Sequence, residues 1–444
     1  MPHAVLHTPH GVKSRPVGTL RRPLRVLPPS LFAAACLCWF EATAQEVLAP
    51  PPIDYSGGAA RPRAAIATDQ LGPLPPAMAA AAAIANEPPL LQWGPVNLRA
   101  HLLYRFLYGD GIPARPGQNF TTVVNEVRPG LLFELGSHWT LDYTPTLRFY
   151  SNRQFRDTTD HSVVLNGATT YKDWTLGLSQ RYASTSEPLI ETGTQTDREN
   201  YSTAANATYH VSTKTSLELG LNQNFRFMGQ NQAGRPLTDS RDWSTLDWLN
   251  YQFWPRFGAA LGVGFGYLDF SAGSDMTYEQ LQGRINWQAT AKVSLVLNAG
   301  FDDRQFLSGN TPDLLNPIFG AALLYQPFEP TLLSLNAART VVPSYFQSQV
   351  TESTTLSGSV RQRLLRRLYL DLTGGYRLSS YEATATGQPV NRDISGTFVN
   401  VRLNVPFLKR GTASAFFQAA ENSSNDSLYK YSTTQVGLEL GYRF

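Results

Sequence analysis

The segment that decides the fold is Val436-Gly437-Leu438-Glu439-Leu440-Gly441-Tyr442-Arg443-Phe444, at the C-terminal end of the sequence. Its even-numbered residues are apolar or aromatic, whereas the odd-numbered ones are glycine or charged. A period of two places these two sets on opposite faces of a β-strand. The segment therefore predicts a strand with one apolar face and one polar face.

The same alternation recurs along the chain from Val96 onward, for example in residues 217–222, 293–298, 368–373 and 399–404. The runs are about 11–14 residues long, and a tilted membrane-spanning strand needs roughly 9–11. They are joined in pairs by eight short turns, and nine longer polar loops, the first near 109–118, separate the pairs. The short turns are centred near Ser137, Lys172, Thr213, Pro255, Lys292, Glu329, Arg366 and Arg410.

This spacing gives about eighteen strands and predicts an all-β fold, a transmembrane antiparallel up-and-down β-barrel. Short turns on one side and longer loops on the other are typical of barrels with periplasmic turns and extracellular loops. A propeller repeats every 40 residues or so, but its strands are much shorter than these runs. A soluble β-sandwich rarely needs strands this long or this numerous.

The composition agrees with a membrane barrel. Charged residues make up 16% of the 444 residues and hydrophobic ones 42%, yet the sequence contains no run of eighteen consecutive apolar residues. A barrel distributes its hydrophobic residues over many strands in this way. Tryptophans beside the short turns or at the start of the barrel fit an aromatic girdle: Trp93, Trp139, Trp174 and Trp254.

Three regions are expected along the chain. Residues 1–44 predict a signal peptide, because they have a basic start, an apolar stretch from Leu31 to Phe40 and small residues before Gln45. Residues 45–92 are rich in Pro and Ala and predict a flexible periplasmic tether, and 93–444 form the barrel. Both cysteines, Cys36 and Cys38, fall in the leader, which leaves no thiol for disulfides, catalysis or metal binding.

The charge balance argues against a nucleic-acid partner. The chain has 37 basic and 34 acidic residues, and the expected leader holds five of the former and one of the latter. The remaining 32 basic and 33 acidic residues nearly cancel. A basic patch that would attract nucleic acid is therefore not expected.

The end of the chain resembles the C-terminal signature of bacterial outer-membrane proteins, which the barrel-assembly machinery reads. The residues that carry this resemblance are Val436, Leu438, Leu440, Tyr442 and Phe444. With the leader and the hairpin count, residues 93–444 are similar to β-barrel porin family 2. The resemblance implies export to the outer membrane, contact with its lipid, and, as in some relatives, an association with exopolysaccharide systems.

The polar phase of the strands predicts the residues that line the pore. Arginines outnumber acidic residues among them, which allows two hypotheses: a mildly anion-favouring pore, or a cross-strand network of ion pairs that stiffens the wall. Tyr150, Trp248 and Tyr369 share this phase and could stack on sugars or simply pack. The charged residues predicted to line the pore are Arg99, Arg105, Arg148, Arg181, Arg226, Arg284, Arg361, Arg377, Arg402, Arg443, Glu126, Asp142, Glu218, Asp371 and Glu439.

The sequence therefore predicts a porin-like channel for passive or weakly selective passage of small polar or anionic solutes. A non-conducting outer-membrane component of an exopolysaccharide or export system is the alternative, and an outer-membrane hydrolase is least favoured. His101, His138, His161 and His210 sit in no catalytic or metal-binding motif. We expect neither enzyme activity nor a cofactor, and the oligomeric state stays open.

Overall fold

The computed structural model describes residues 90–189, 191–229, 237–307, 313–384, 392–408 and 410–444. None of the helices in these ranges is long and apolar enough to cross a membrane. A 3₁₀ turn covers Ser427–Tyr429. The strands are β1 Leu91–Trp93, β2 Val96–Arg115, β3 Gln118–Leu135, β4 Trp139–Tyr150, β5 Thr158–Tyr171, β6 Trp174–Thr185, β7 Pro188–Leu189, β8 Thr194–Gln195, β9 Arg198–His210, β10 Thr215–Met228, β11 Ser240–Trp254, β12 Phe257–Phe270, β13 Met276–Thr290, β14 Val293–Phe306, β15 Leu314–Phe328, β16 Thr331–Pro343, β17 Gln349–Leu364, β18 Leu368–Ala383, β19 Arg392–Phe407, β20 Gly411–Ser424 and β21 Tyr431–Arg443.

Eighteen of the described strands, β2–β6 and β9–β21, form one closed antiparallel ring. Each pairs with its sequence neighbour in the ring, and β21 closes the ring by pairing with β2, where Glu439 faces Arg105. The short strand β1 adds to β2, and β7 with β8 forms a separate small hairpin. Closure gives every strand of the ring a partner on both sides. The predicted barrel of about eighteen strands is confirmed.

The two rims differ as the sequence predicts. Each predicted short-turn centre falls between two consecutive ring strands, whereas the opposite rim carries the longer connections. One predicted loop is wrong. Residues 109–118 are mostly strand, because β2 and β3 continue as a paired hairpin to a tight turn at Pro116 and Gly117. The predicted leader and nearly all of the tether lie outside the described residues, although Leu91 and Gln92 already belong to β1.

An apolar belt surrounds the outer face of the ring, as β12 illustrates. Its outward row runs from Phe257 to Tyr267, and Leu261 and Phe265 are 58% and 56% exposed. Ten residue steps span about 33 Å along a strand, which at a tilt of about 40° gives a belt about 25 Å high, the apolar band of an outer-membrane barrel. The next outward residue, Asp269, pairs with Arg241 at 3.0 Å and marks the upper edge of the belt.

Aromatic clusters lie at both edges of this belt. At the turn rim, the rings of Phe253, Trp254 and Phe257 are 5.3–6.1 Å apart, and Trp174 packs on Tyr209 at 4.8 Å. At the loop rim, the neighbouring pairs are Tyr182 with Tyr201 and Trp243 with Tyr267. Amphipathic rings favour the two interfaces of a membrane.

The wall opens at one place on the loop side. β15 and β16 pair from Phe328 and Thr331 up to Phe319 and Arg339, and no pairing continues beyond, although β15 stays paired with β14 as far as Leu314. β16 and β17 remain paired with each other to Pro343 and Val350. We call residues 340–351, the end of this strand pair, the inward hairpin, because its contacts lie inside the ring.

A charge at the centre of the belt should destabilise the barrel far more than one at its edge. We expect Leu261→Arg to lower the free energy of unfolding by about 2–4 kcal/mol, because hydrocarbon cannot solvate the guanidinium. Thr277→Arg, on the neighbouring strand near the loop rim, should cost about 1 kcal/mol or less. Urea unfolding from lipid vesicles measures both, and equal losses would contradict this placement of the belt.

Candidate functional site in the lumen

The inner face of the ring is identified by contacts between strands that are not neighbours in it. Arg226 on β10 donates hydrogen bonds to the carbonyl oxygens of Pro343 and Ser344, at 3.2 and 2.6 Å. β10 and β16 are six places apart in the ring, so this contact crosses the interior. The side chains in phase with Arg226 therefore face inward, and the exposed apolar rows face outward.

An apolar belt outside and polar rows inside decide the class of the fold. The chain is a transmembrane β-barrel of the outer-membrane type. With eighteen strands, wall side chains alone do not fill such a barrel, and barrels of 16–18 strands leave an aqueous channel unless something enters it.

One side of the lumen carries a cluster of ion pairs, which we call the charge cluster. Glu126 is its centre, with carboxylate oxygens 2.8 Å from Arg128, 2.8 Å from Arg148 and 3.5 Å from Arg105. Arg105 also lies 3.4 Å from Glu439, which in turn pairs with Arg402 at 2.6 Å. The members of the cluster are Arg105, Arg128, Arg148, Arg402, Glu126, Asp160, Glu187 and Glu439.

Four guanidinium groups and four carboxylates make up this cluster, so its formal charges cancel. Most of its side chains are more than nine-tenths buried. At such depth a single unpaired charge would be costly, whereas a fully paired set is tolerated. On this side of the lumen the arginines form a network of ion pairs with carboxylates of nearby strands.

The remaining predicted pore-lining residues are dispersed around the ring. Asp142 accepts a hydrogen bond from Thr144 at 2.7 Å. Arg181, Arg377 and Arg443 lie on β6, β18 and β21, opposite Ser202, Gly396 and His101 respectively. Three of the predicted arginines have acidic partners outside the charge cluster: Arg99 with Glu134 at 2.9 Å, Arg284 with Glu218 at 2.6 Å and Arg361 with Asp371 at 2.5 Å.

Two arginines hold the inward hairpin in the lumen. Arg226 binds its carbonyl groups and lies over the ring of Tyr345, with the guanidinium carbon 4.2 Å from the ring centre. Arg304 donates to the carbonyl oxygen of Val341 at 2.8 Å and lies over Tyr278 at 5.0 Å. Arg226 therefore belongs to the wall and also binds the inward hairpin. Arg304 is in phase with Asp302 on β14, but its partner in the inward hairpin is a main-chain atom, which alternation does not predict.

A second segment, residues 186–189 and 191–197 between β6 and β9, also enters the lumen, and we call it the inward loop. It contains the small β7–β8 hairpin, with Leu189 1% exposed. Its Gly193 lies against Pro116 at the tip of the β2–β3 hairpin, and its Glu187 binds Arg148 of the wall. The sequence predicts this loop but not its inward course.

The inward loop and the inward hairpin meet at Glu191. Its carboxylate accepts hydrogen bonds from the Ser344 hydroxyl and from the Tyr345 amide at 3.0 Å. Eight ring strands, β9–β16, separate the two segments on one side, so they come from nearly opposite walls. Glu191 therefore marks a bridge across the loop-side mouth of the lumen.

Arg392, the first residue of β19, completes this bridge. Its guanidinium is 3.6 Å from the Glu191 carboxylate and lies over the rings of Tyr381, Tyr429 and Phe346, at 3.6, 4.5 and 5.2 Å from their centres. Aromatic faces attract a guanidinium most strongly when water is excluded. The alternation of the sequence gives no indication of this cage, because its rings come from three separate segments.

A cavity of about 350 Å³ lies below the inward hairpin, on the side of the lumen away from the charge cluster. Residues of β9–β11 and β13–β16 line it, and Arg339, Val341 and Val342 of β16 border it at the point where this strand leaves β15. Trp248 and Arg284 contribute to the wall, with the guanidinium 4.4 Å from the ring centre. The strand break thus produces a partly covered chamber.

No family model matches the chain, and no curated protein matches it. Solved structures with a similar barrel include OccAB1 of Acinetobacter baumannii, with a TM-score of 0.41 and 13% identity over 78% of this chain and 97% of that one. OpdK of Pseudomonas aeruginosa gives 0.44 and 9% over 78% and 98%. OccK2 of Pseudomonas aeruginosa, in complex with glucuronate, gives 0.45 and 11% over 78% and 98%.

The charge cluster should be sensitive to the loss of one carboxylate. We expect Glu126→Gln to lower the free energy of unfolding by about 3 kcal/mol, because three buried guanidinium groups lose their shared counter-charge. Glu329→Gln is the matched control: Glu329 is 77% exposed at a turn and pairs with Arg363, so its loss should cost less than about 1 kcal/mol. Equal stability of the two variants would disprove the central role of Glu126.

Proposed function

We propose that this protein is a porin-like channel of the bacterial outer membrane that passes small polar solutes. A single observation carries the proposal: an eighteen-strand ring, apolar outside and polar inside, too wide for its wall side chains to fill. Solutes would pass between the charge cluster and the opposite wall. Segments from two nearly opposite walls narrow the loop-side mouth, which would exclude large solutes.

We expect this channel to be weakly selective for ions. The charge cluster contains as many carboxylates as guanidinium groups, and Arg284 and Arg361 each have an acidic partner. Selectivity in pores follows unbalanced rings of one charge sign. Balanced pairs stiffen the wall without giving it a strong net field.

The reversal potential in a salt gradient tests this balance. With a tenfold KCl gradient across a planar bilayer we expect a value close to zero. Glu126→Gln, if it assembles, should shift the potential toward anion preference because the carboxylate charge is lost. A wild-type potential near the limit for an ideally anion-selective pore would contradict the balance and favour an arginine-dominated lumen.

A second candidate function is a non-conducting barrel in a polysaccharide or export system. The bridge at Glu191 favours it, because this contact joins segments from nearly opposite walls across the mouth. The two candidates differ in whether the bridge opens under ordinary conditions.

Conductance of the full-length protein in planar bilayers separates them. Glu191→Gln weakens charge-assisted hydrogen bonds worth about 1.5–3 kcal/mol, which should shift the closed-to-open equilibrium by roughly tenfold to a hundredfold. We expect steady openings of the wild type and a higher open probability for Glu191→Gln, with Glu329→Gln unchanged. A folded, silent wild type whose Glu191→Gln variant is also silent would exclude the channel.

We also propose the targeting route that the sequence indicates. Residues 1–44 would direct export, 45–92 would tether the barrel on the periplasmic side, and the outward row of β21 would guide assembly. The position of this row supports the last point: Leu438 and Leu440 are exposed, and the Phe444 amide donates to the carbonyl oxygen of Ala100 at 2.9 Å. The row thus lies on the lipid side of the closing strand pair.

A further inference from the structure

β12 places no side chain in the chamber below the inward hairpin. Its three inward positions are Gly262, Gly264 and Gly266, and the Trp248 and Tyr278 rings of the flanking strands fold over Gly262 and Gly266. A Cβ on Gly262 would come within 2.6 Å of the indole, and one on Gly266 within 2.1 Å of the Tyr278 ring. The rings therefore lie along the wall over these two glycines.

Trp248 does not offer a bare ring to a solute. The Gly262 backbone covers one part of it, and the Arg284 guanidinium lies 4.4 Å from its centre. The indole instead holds Arg284, which donates to Glu218 at 2.6 Å and to Asn250 at 2.7 Å. Arg284 is therefore fixed against the chamber wall, with its Nε buried.

Carboxamide groups are the distinctive feature of the lining. Three of them form a chain: Asn298 donates to Gln282 at 3.4 Å, Gln282 donates to Gln280 at 2.9 Å, and Gln280 donates to Asp302 at 2.6 Å. Each carboxamide has two N–H donors and a carbonyl oxygen with two lone pairs, so the chain leaves donors and acceptors unused. Two further carboxamides, Asn206 and Asn222, line the same chamber from β9 and β10.

The charged groups of the lining are already compensated. Arg284 pairs with Glu218, Asp302 pairs with Arg304 at 2.7 Å, and Arg339 pairs with Glu352 at 2.6 Å. A charged solute would find no unpaired counter-ion here and would lose hydration on entry. A purely apolar solute would leave buried amides without partners, which costs about 1–3 kcal/mol for each group.

We propose that this chamber is a binding subsite for a neutral saccharide. Sugar hydroxyls both donate and accept, as carboxamides do, and adjacent hydroxyls can bridge the two atoms of one amide. The C–H faces of a sugar would contact Leu246, Ile318 and Val341, which line the same space. The volume of about 350 Å³ falls within the usual range for small-molecule pockets and suits one or two sugar rings.

The inward hairpin gives the subsite its cover. Val341 and Val342 border the chamber on the loop side, and Arg226 and Arg304 fix the hairpin through its carbonyl groups. A sugar would be held between the amide wall and this cover. The inference rests on the proposed channel function, since the saccharide would be a solute in transit.

Binding to the full-length protein in detergent micelles tests the proposal independently of conductance. Isothermal titration would use glucose, maltose and glucuronate, the last being a sugar that carries a carboxylate. We expect glucose or maltose to bind more tightly than glucuronate. Preferential binding of glucuronate, or no binding of any of the three, would overturn the saccharide subsite.

Matched leucine substitutions locate the binding. Asn222→Leu keeps the approximate volume and removes one amide, which should weaken maltose binding about fivefold to tenfold. Gln282→Leu interrupts the carboxamide chain and should weaken it at least as much. Gln418→Leu places the same substitution on β20, away from the chamber, and should leave the affinity unchanged. Equal affinities of wild type, Asn222→Leu and Gln282→Leu would overturn the proposal.

Conductance distinguishes this failure from that of the channel itself. If the barrel conducts but binds no sugar, the proposed channel function stands and the saccharide subsite is wrong. If the barrel binds maltose but neither the wild type nor the Glu191→Gln variant conducts, the subsite stands and the channel function is wrong.

Discussion

Backbone hydrogen bonding is the constraint on which this structure depends. In hydrocarbon every N–H and C=O group needs a partner within the protein, and a closed antiparallel ring supplies all of them. The pairing of β21 with β2 meets this requirement. The break between β15 and β16 is compatible with it because the freed segment bends into the lumen. There Arg304 and Arg226 bind the carbonyl groups of Val341, Pro343 and Ser344, so guanidinium donors serve a strand that has left its neighbour.

The two sides of the lumen use different polar chemistry. On β2–β5, with β19 and β21, buried charges neutralise one another around Glu126. On β9, β10, β13 and β14, carboxamides line a chamber. Paired charges resist separation and make a rigid wall. Amides with spare hydrogen-bonding capacity can exchange partners with solutes at lower cost. A solute would thus pass between a fixed wall and an adaptable one.

The sequence could predict the wall but not the contents of the lumen. Alternation along 436–444 assigns a face to every residue, and turn spacing gives the strand number, because both depend on local geometry. Neither alternation nor turn spacing tells which side chains will contact each other. Glu126 and Arg148 share the inward phase, yet Glu187, which also binds Arg148, lies in a loop. Glu191, Ser344 and Arg392 are far apart in the sequence, and only closure of the ring brings them together.

The convergence of distant segments on Glu191 has a consequence for the motions of the protein. Residues 340–343 have lost their pairing with β15 and keep it only on the β17 side, and residues 186–189 and 191–197 have their ladder pairing within the small β7–β8 hairpin. Side-chain anchors hold both segments inside the ring. Segments of this kind open as units whose free energies lie well below that of global unfolding. Because both depend on one carboxylate, release of either removes an anchor from the other. Their amide protons should therefore exchange with solvent together, as one cooperative unit inside a slowly exchanging ring.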